Sequence, residues 1–344
     1  MSEFFEAIDK IALHRVGNKS KNEVLELSEQ ILPLSEEIKE VFERYFSGGF
    51  RTDQLYRFHH DSGLQYHALY NLVADLFDSE IEFHAGSIKI ASMLFEAGNH
   101  PNIKPGDLYI ANLKGANLEG KQVSAIGIFK AESKDTVLQI KRQDGRFQVD
   151  TAVGTSIQKL DKACIIFNSE SADGYVLAIT DATNRGQDAR YWTDVFLQAR
   201  PRNDAYSKTE NNLQICKEFI LNELPKNFDV PKLEQVALMK RSMEYFKEAD
   251  DFSLEDFGMK IIGPDAAPHF KSFREDYAHE RDMELEDTFA ISAQAVKKQS
   301  KVFKSILKLD KNFHVYIHGD RSLIEQGRDD DGRKYYKIYY NEER

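Results

Sequence analysis

The sequence predicts an α+β protein, in which N-terminal helices and an antiparallel β-meander precede a mainly helical C-terminal domain closed by a β-hairpin. Three observations support this prediction. Between residues 107 and 180, apolar and polar residues alternate with period two in short runs separated by polar turns. From residue 189 onward the apolar spacing is helical, and alternation returns near the end of the chain.

The N-terminal elements are predicted from spacing and capping residues. Ile8 to Val16 alternates as a strand does, and residues 23–27 can form a second strand. Ser35 is a good N-cap for a helix whose first turn is acidic, and Gly48-Gly49 ends that helix. Two further helices are predicted over residues 64–78 and 84–97.

The meander is predicted from six runs with strand periodicity. Asp144-Gly145 and Asp173-Gly174 are turn dipeptides that are typical of hairpins. The six runs are 107–113, 122–131, 136–142, 146–153, 161–168 and 174–180.

The second half of the chain reads as helices. The polar stretch 181–188 is the predicted boundary, which gives an α+β domain over residues 1–183 and a mainly helical domain over residues 184–344. The predicted helices cover residues 189–199, 205–224, 231–248 and 265–281.

Composition limits the class of protein. The chain has 344 residues, of which 41% are hydrophobic and 30% are charged, as expected for a soluble globular protein. It contains no uninterrupted apolar run of the roughly 18 residues that a membrane span needs. The acidic first residues do not resemble a secretory signal, and two cysteines favour a reducing, cytoplasmic location over a disulfide scaffold.

Sequence motifs predict neither a catalytic site nor a cofactor. The chain lacks a phosphate-binding loop, a dinucleotide-binding glycine motif, H-E-x-x-H, C-x-x-C and a G-x-S-x-G elbow. The group His59, His60 and His67 fits a polar loop and helix face better than a metal site.

Two acidic patterns also favour structural readings over metal binding. Asp135, Gln139 and Lys141 resemble part of a nuclease site, but a solvated strand explains them better. The carboxylates of Asp329-Asp330-Asp331 are consecutive rather than spaced as in a calcium loop, so a turn is expected there.

The closing segment carries the candidate binding residues. A basic amphipathic helix is predicted from about residue 295 to residue 309, and its lysines suit either phosphate oxygens or plain solubility. The final strands place His, Tyr and Lys on one face and apolar residues on the other. The predicted DNA-binding residues are Lys297, Lys298, Lys301, Lys304, Lys308, Arg328, Arg333, Lys334 and Lys337.

Charge is distributed unevenly along the chain. The net charge is −11, and residues 1–100 and 201–296 each contribute −8, whereas residues 297–344 contribute +4. A basic patch on an acidic protein can still bind a polyanion through its local field.

Three stretches resemble a known family. They are Ile8-x-x-Ile11-Ala12-Leu13-His14-x-Val16, then Arg190-Tyr191-Trp192-x-x-x-Phe196-Leu197 with Pro201, Asp204 and Thr209, and finally Phe313 to Asp320 together with Tyr335 to Tyr339. The chain resembles the bacterial nucleoid-associated proteins of the NdpA or YejK family. The resemblance implies a cytoplasmic, nucleoid-located protein that binds DNA without sequence preference, and it carries over no catalytic residue.

Two hypotheses follow. The first is a non-enzymatic protein that contacts the duplex backbone and uses no cofactor or metal. The alternative is an adaptor that reaches the nucleoid through a DNA-bound enzyme, such as a DNA-topology protein, with its acidic surfaces as docking sites. The sequence is compatible with a homo-oligomer and predicts no membrane partner.

Overall fold

A computed structural model describes residues 4–48, 54–182, 191–281, 283–300, 303, 306–309, 313–316 and 323–342. The chain forms two compact units, Met1–Arg202 and Asn203–Arg344. The mixed α+β class is as predicted. The first unit extends beyond the polar stretch 181–188, of which residues 183–188 lie outside the described part.

The first unit is built on an eight-stranded sheet in which the described neighbouring strands are antiparallel. Its order is β10-β3-β9-β8-β5-β4-β1-β2. The strands of this unit, in chain order, are β1 Ala7–Val16, β2 Leu25–Glu26, β3 Leu55–Phe58, β4 Gly106–Leu118, β5 Lys121–Ala131, β6 Lys134–Gln143, β7 Arg146–Thr155, β8 Lys162–Phe167, β9 Val176–Asp181 and β10 Ala199–Pro201.

All six predicted runs of the meander are strands, but two of them leave the sheet. β6 and β7 pair only with each other, whereas β5 pairs directly with β8. The buried carboxylate of Asp161 accepts hydrogen bonds from the backbone N–H groups of Glu132 and Ser133 at 2.8 and 2.7 Å. These hydrogen bonds hold the end of β5 beside the start of β8. The two strands can therefore pair directly, and the intervening hairpin lies outside the sheet.

Helices cover both faces of this sheet. α1 Glu36–Ser47 packs Tyr45 and Phe46 against one face, where the rings of Phe46 and Phe129 stack at 3.9 Å. α2 Ala68–Phe77 and α3 Phe83–Ala97 cover the other face, together with Trp192. The predicted N-cap of α1 is confirmed, because Ser35 Oγ accepts a hydrogen bond from the backbone N–H of Ile38.

The second unit is mainly helical around an aromatic core. Its helices are α4 Ala205–Glu218, α5 Leu224–Asn227, α6 Lys232–Glu248, α7 Leu254–Phe257, α8 Ala267–Glu280 and α9 Ala293–Gln299. Strands β11 Asp251–Ser253 and β12 Thr288–Ala290 pair antiparallel. Phe219, Phe246, Phe252, Phe257 and Phe270 are buried at its centre.

The closing segment departs from the prediction in two ways. The basic helix ends at Gln299, and its expected continuation contains strand β13 Ile306–Leu309, which pairs with β14 Phe313–Tyr316. The last strand, β16 Lys334–Ile338, pairs with β15 Ile324–Arg328 rather than with β14. Pairing of Ile306–Leu309 with Phe313–Tyr316 satisfies backbone hydrogen-bonding groups of both strands, and this pairing outweighed a lysine spacing that fits a helix.

Candidate nucleic-acid interface

The helix α9 presents two of the predicted lysines to solvent. Ser292 caps its N-terminus, and Ala295 and Val296 are buried beneath it. Lys297 is exposed and forms no ion pair within the described part of the chain. The helix has room for only two of the five lysines of the expected row.

Lys298 is engaged within its own unit. Its Nζ lies 3.6 Å from Glu210 and 5.3 Å from the centre of the Tyr206 ring. Partial burial lowers the pKa of Lys298, but the hydrogen bond to Tyr206 and the charge of Glu210 more than offset it, so the pKa lies above its usual value. Lys298 therefore stays charged, with a carboxylate already beside it.

Among the remaining lysines of the row, the described Lys308 does not extend this helix. Lys308 lies on β13, opposite His314, and its side chain is outside the description. Lys301 and Lys304 lie outside the described residues. The predicted single stripe of helical lysines from Lys297 to Lys308 is wrong, although each residue remains a prediction as a DNA contact.

The strands β15 and β16 form the C-terminal hairpin, residues 324–338, which brings two cations together. Arg328 lies directly opposite Lys334 in the ladder, and both side chains are exposed. Directly opposite side chains on neighbouring strands have Cβ atoms about 5 Å apart, and like charges in that position are unfavourable. Neither cation forms an ion pair with any carboxylate of the described residues.

The other two cations of this hairpin are paired locally. The guanidinium of Arg333 contacts Asp329 at 2.9 Å and Asp331 at 2.8 Å. These contacts fix the predicted turn, in which Gly332 adopts a φ of 78°. Lys337 lies 3.9 Å from Glu325, and its Nζ is 4.9 Å from the centre of the Tyr339 ring.

Exposed tyrosines accompany these charges. Tyr335, Tyr339 and Tyr340 are exposed, and a Cβ added at Gly327 would collide with the ring of Tyr335. Glycine at this position therefore lets the Tyr335 ring lie over the neighbouring strand. The face predicted to be polar and aromatic carries Tyr335 and Lys337, whereas Arg328 and Lys334 lie on the opposite face with Tyr336.

The expected burial of the opposite faces is wrong. Ile338 is 49% exposed, and Phe313, on β14, is 62% exposed. Neither residue lies in a core formed by the described residues, because these short hairpins each stand as a separate two-stranded sheet.

The predicted acidic and histidine patterns have structural partners. His67 is buried, and its Nδ1 accepts a hydrogen bond from the backbone N–H of Tyr70 at the start of α2. His59 lies 3.2 Å from Asp61, and Lys141 lies 3.1 Å from Asp150 on the polar face of β6 and β7. Among the described residues, no group of three His, Cys, Asp or Glu side chains is arranged to hold a metal ion.

A buried ionic network in the first unit was missed at the sequence level. Lys130 is 1% exposed, and its Nζ donates to Glu132 at 2.9 Å and to the Tyr191 hydroxyl at 3.2 Å. Beside it, the fully buried Lys162 donates to Asp181 at 2.7 Å. Two lysines inside apolar strands, in AIGIFKA and KACIIF, are the sequence signal that could have revealed it.

This network is a structural element of the sheet. Burial lowers the pKa of Lys130, and it raises the pKa of Tyr191, whose hydroxyl therefore remains protonated. The two ammonium groups face the carboxylates of Glu132 and Asp181, so the charges balance. Such pairing is what allows charged groups to be buried at all.

The fold and the exposed surface define a class: a two-unit α+β protein with a cationic, tyrosine-bearing hairpin near its C-terminus. No helix of the described residues has the length and apolarity needed to cross a membrane. The chain belongs to the family described as nucleoid-associated protein YejK, which it matches over residues 12–344. It is thus a nucleoid-associated protein; no individually curated protein matches the chain.

Proposed function

We propose that this protein binds the backbone of duplex DNA directly, without strong sequence preference and without catalysis, through its C-terminal hairpin. The carrying observation is the cross-strand pair of Arg328 and Lys334, which is exposed and has no carboxylate partner in the described part of the chain. A phosphate between the two groups would turn their mutual repulsion into two charge-assisted contacts.

The chemistry of the hairpin supports backbone contact rather than base reading. The guanidinium of Arg328 can bind a phosphate with two parallel hydrogen bonds, and exposed tyrosine hydroxyls are common partners of phosphate oxygens. A two-stranded ribbon also fits the width of the major groove. Gln326, on the same face as Arg328, is the one residue of β15 and β16 with a side-chain amide, the group that commonly reads adenine.

The other predicted contacts have graded roles. Lys297 is exposed on α9 and adds a third cation that has no carboxylate partner among the described residues. Lys298, Arg333 and Lys337 already face carboxylates. A phosphate contact at these residues must replace an existing ion pair, so it contributes less binding free energy than a contact at Arg328 or Lys334. Lys301, Lys304 and Lys308 stay predicted contacts, and their side chains lie outside the description.

The overall acidity of the chain is compatible with this site. At physiological salt, exposed charges are screened beyond about 8 Å. A phosphate at Arg328 and Lys334 therefore responds mainly to its immediate neighbours.

A salt titration tests the proposal. Fluorescence anisotropy with short duplexes of unrelated sequence should give similar affinities, and each phosphate contact contributes about 0.9 to the slope of log K against log salt. The variant Arg328→Gln/Lys334→Gln should reduce the magnitude of that slope by about 2.

A matched control separates this site from a general charge effect. Lys240 and Arg241, on α6, are also one lysine and one arginine, and they pair with Glu244 and Glu234. Lys240→Gln/Arg241→Gln removes the same charge and should leave the slope unchanged. Equal effects of the two double variants would refute the assignment of the hairpin.

The adaptor hypothesis predicts the opposite outcome. Purified protein would then fail to shift any duplex at about 50 mM salt, where backbone binding is strong. It would instead capture a DNA-bound enzyme in a pull-down. Duplex recovered intact after incubation with Mg²⁺ or Mn²⁺ is expected under both hypotheses.

A further inference from the structure

The hairpin of β6 and β7, residues 134–155, is an amphipathic ribbon and is called the central hairpin. One of its faces combines Leu138, Ile140, Phe147, Val149 and Val153. Each of these side chains is between 61% and 74% exposed. The opposite face is largely polar.

This apolar face has no cover within the described residues of the chain. The strands β6 and β7 form a sheet of their own, with ten residues in each strand. An isolated two-stranded ribbon is marginally stable in water, and contiguous apolar surface of this kind usually marks an interaction site. A partner that packs on this face would stabilise the ribbon and would remove its apolar side chains from water.

A second exposed surface of the same unit complements the central hairpin. Residues 23–40, here called the acidic edge, follow β1 along the outer side of the sheet, where β2 and Leu32 hydrogen-bond to β1. Residues 30–34 line an open groove of about 460 Å³ together with Asp9 and Lys10 of β1. The exposed apolar side chains of this surface are Val24, Leu27, Ile31 and Ile38.

The charges of the two surfaces are opposite. The acidic edge contains six glutamates and one lysine, whereas the central hairpin contains four cations and three carboxylates. Of the three cations next to the turn at Asp144-Gly145, Arg142 lies on the apolar face, opposite Phe147, whereas Lys141 and Arg146 lie on the polar face. Arg142 forms no ion pair with the described residues, and the exposed Glu37 and Glu40 likewise have no cation partner among them.

We propose that the apolar face of the central hairpin docks on the acidic edge of a second copy of this chain, and that the two copies exchange their hairpins reciprocally. In this arrangement apolar side chains meet apolar side chains, and Arg142, on the same face as they are, meets glutamates of the acidic edge. A symmetric pair of copies satisfies both surfaces of both protomers at once.

The available area favours this exchange over direct stacking of two hairpins. Ten residues at about 3.4 Å each give a ribbon roughly 30 Å long and roughly 10 Å wide, or about 300 Å² per face. Two stacked hairpins would bury about 600 Å² in total, which is less than stable dimers need. Two hairpin–edge contacts bury about 1,200 Å², which reaches the lower limit for a specific interface.

Sedimentation of the full-length protein between about 1 and 100 µM tests the proposal, since this range spans the affinities of weak and moderate dimers. We expect a monomer–dimer equilibrium. Ile140→Asp, which places a carboxylate in the apolar face, should weaken dimerisation at least about tenfold. Gln139→Asp adds the same charge to the opposite face of the same strand and should change it little.

Charge reversal tests the identity of the docking surface. Arg142→Glu should weaken the dimer, Glu37→Lys/Glu40→Lys should weaken it as well, and the combined variant should recover most of the loss, whereas Arg146→Glu, on the opposite face, should change it little. Fluorescence of Trp192, which is buried in the same unit, verifies that each variant is folded.

Three results would overturn the proposal: a monomer over the whole concentration range, equal effects of Ile140→Asp and Gln139→Asp, or no recovery in the combined charge-reversal variant. A hairpin variant that keeps its oligomeric state but loses DNA binding would also overturn it, because the central hairpin would then be a DNA-binding arm. Loss of DNA binding through Arg328 and Lys334 alone leaves this proposal unaffected, because those residues lie in the second unit.

Discussion

The buried imidazole of His14 should make the first unit sensitive to acid. His14 is 2% exposed on β1, and its Nδ1 accepts a hydrogen bond from the backbone N–H of Ser28 at 3.2 Å. Its Nε2 lies 3.0 Å from Ser87 Oγ, whose hydroxyl donates to the carbonyl of His84. This network suits the neutral imidazole that donates from Nε2, and protonation at Nδ1 would break the bond from Ser28.

The magnitude follows from the pKa. Burial, and then the nearby ring of His84, lower the pKa of His14 from 6.5 to about 4. Between these values the unfolded chain binds a proton that the folded protein does not, so the free energy of unfolding falls as the pH falls. The contribution is complete above pH 6.5, and about 3 kcal/mol is lost once the pH is below the folded pKa.

Urea denaturation followed by Trp192 fluorescence measures this loss. Trp192 is the single tryptophan of the chain and is buried in the first unit, so its signal reports on that unit. Near pH 5, His14 should contribute a slope of about 1.4 kcal/mol per pH unit. The difference between the wild type and His14→Gln isolates this term, because carboxylates and other histidines contribute equally to both proteins.

The reasoning is refuted if His14→Gln and the wild type have parallel pH profiles between pH 4 and 6.5. The variant is expected to be less stable at pH 7, because it loses packing and hydrogen bonds. That offset does not affect the test, which compares slopes rather than absolute stabilities.

Three further predictions concern stability and the DNA-binding hairpin. Lys130→Met removes the ammonium group that lies 2.9 Å from the buried Glu132 carboxylate and should cost about 3–5 kcal/mol in urea denaturation. Lys130→Met/Glu132→Leu should cost less, and equal losses would contradict the ion-pair explanation. Asp161→Asn weakens two backbone hydrogen bonds at the base of the central hairpin and should cost about 1–3 kcal/mol, whereas a cost below about 0.5 kcal/mol would show that this link is dispensable. Tyr336→Phe removes the hydroxyl that lies on the same face as Arg328 and Lys334 and should weaken duplex binding several-fold, and a wild-type affinity would exclude that hydroxyl from the interface.

Local sequence patterns predicted secondary structure correctly where the conformation of a residue depends on its immediate neighbours. The strand from Ile8 to Val16, the N-cap at Ser35 and the six runs of the meander are all present in the structure. Capping and two-residue alternation act over a few residues, so they can be recognised without knowledge of the fold.

Prediction failed where two local patterns competed. Lysine spacing between Lys297 and Lys308 is helical, yet β13 forms within that range because a hairpin with β14 is available. The choice depends on strand pairing beyond the window of the pattern. For the same reason, β16 could not be assigned to β15 from its own residues.

The amino-acid sequence alone was enough to establish the α+β class, most of the strands and helices, and membership of the nucleoid-associated family, because these depend on local periodicity and on recognisable stretches of residues. The tertiary structure decided which charges are available to a partner. Lys130 and Lys162 are paired with carboxylates inside the sheet, and Arg333 is paired with aspartates of its own turn. Arg328 and Lys334 lie opposite each other and have no carboxylate partner among the described residues. Ion pairing depends on distances between residues that are remote in sequence, and only folding sets those distances.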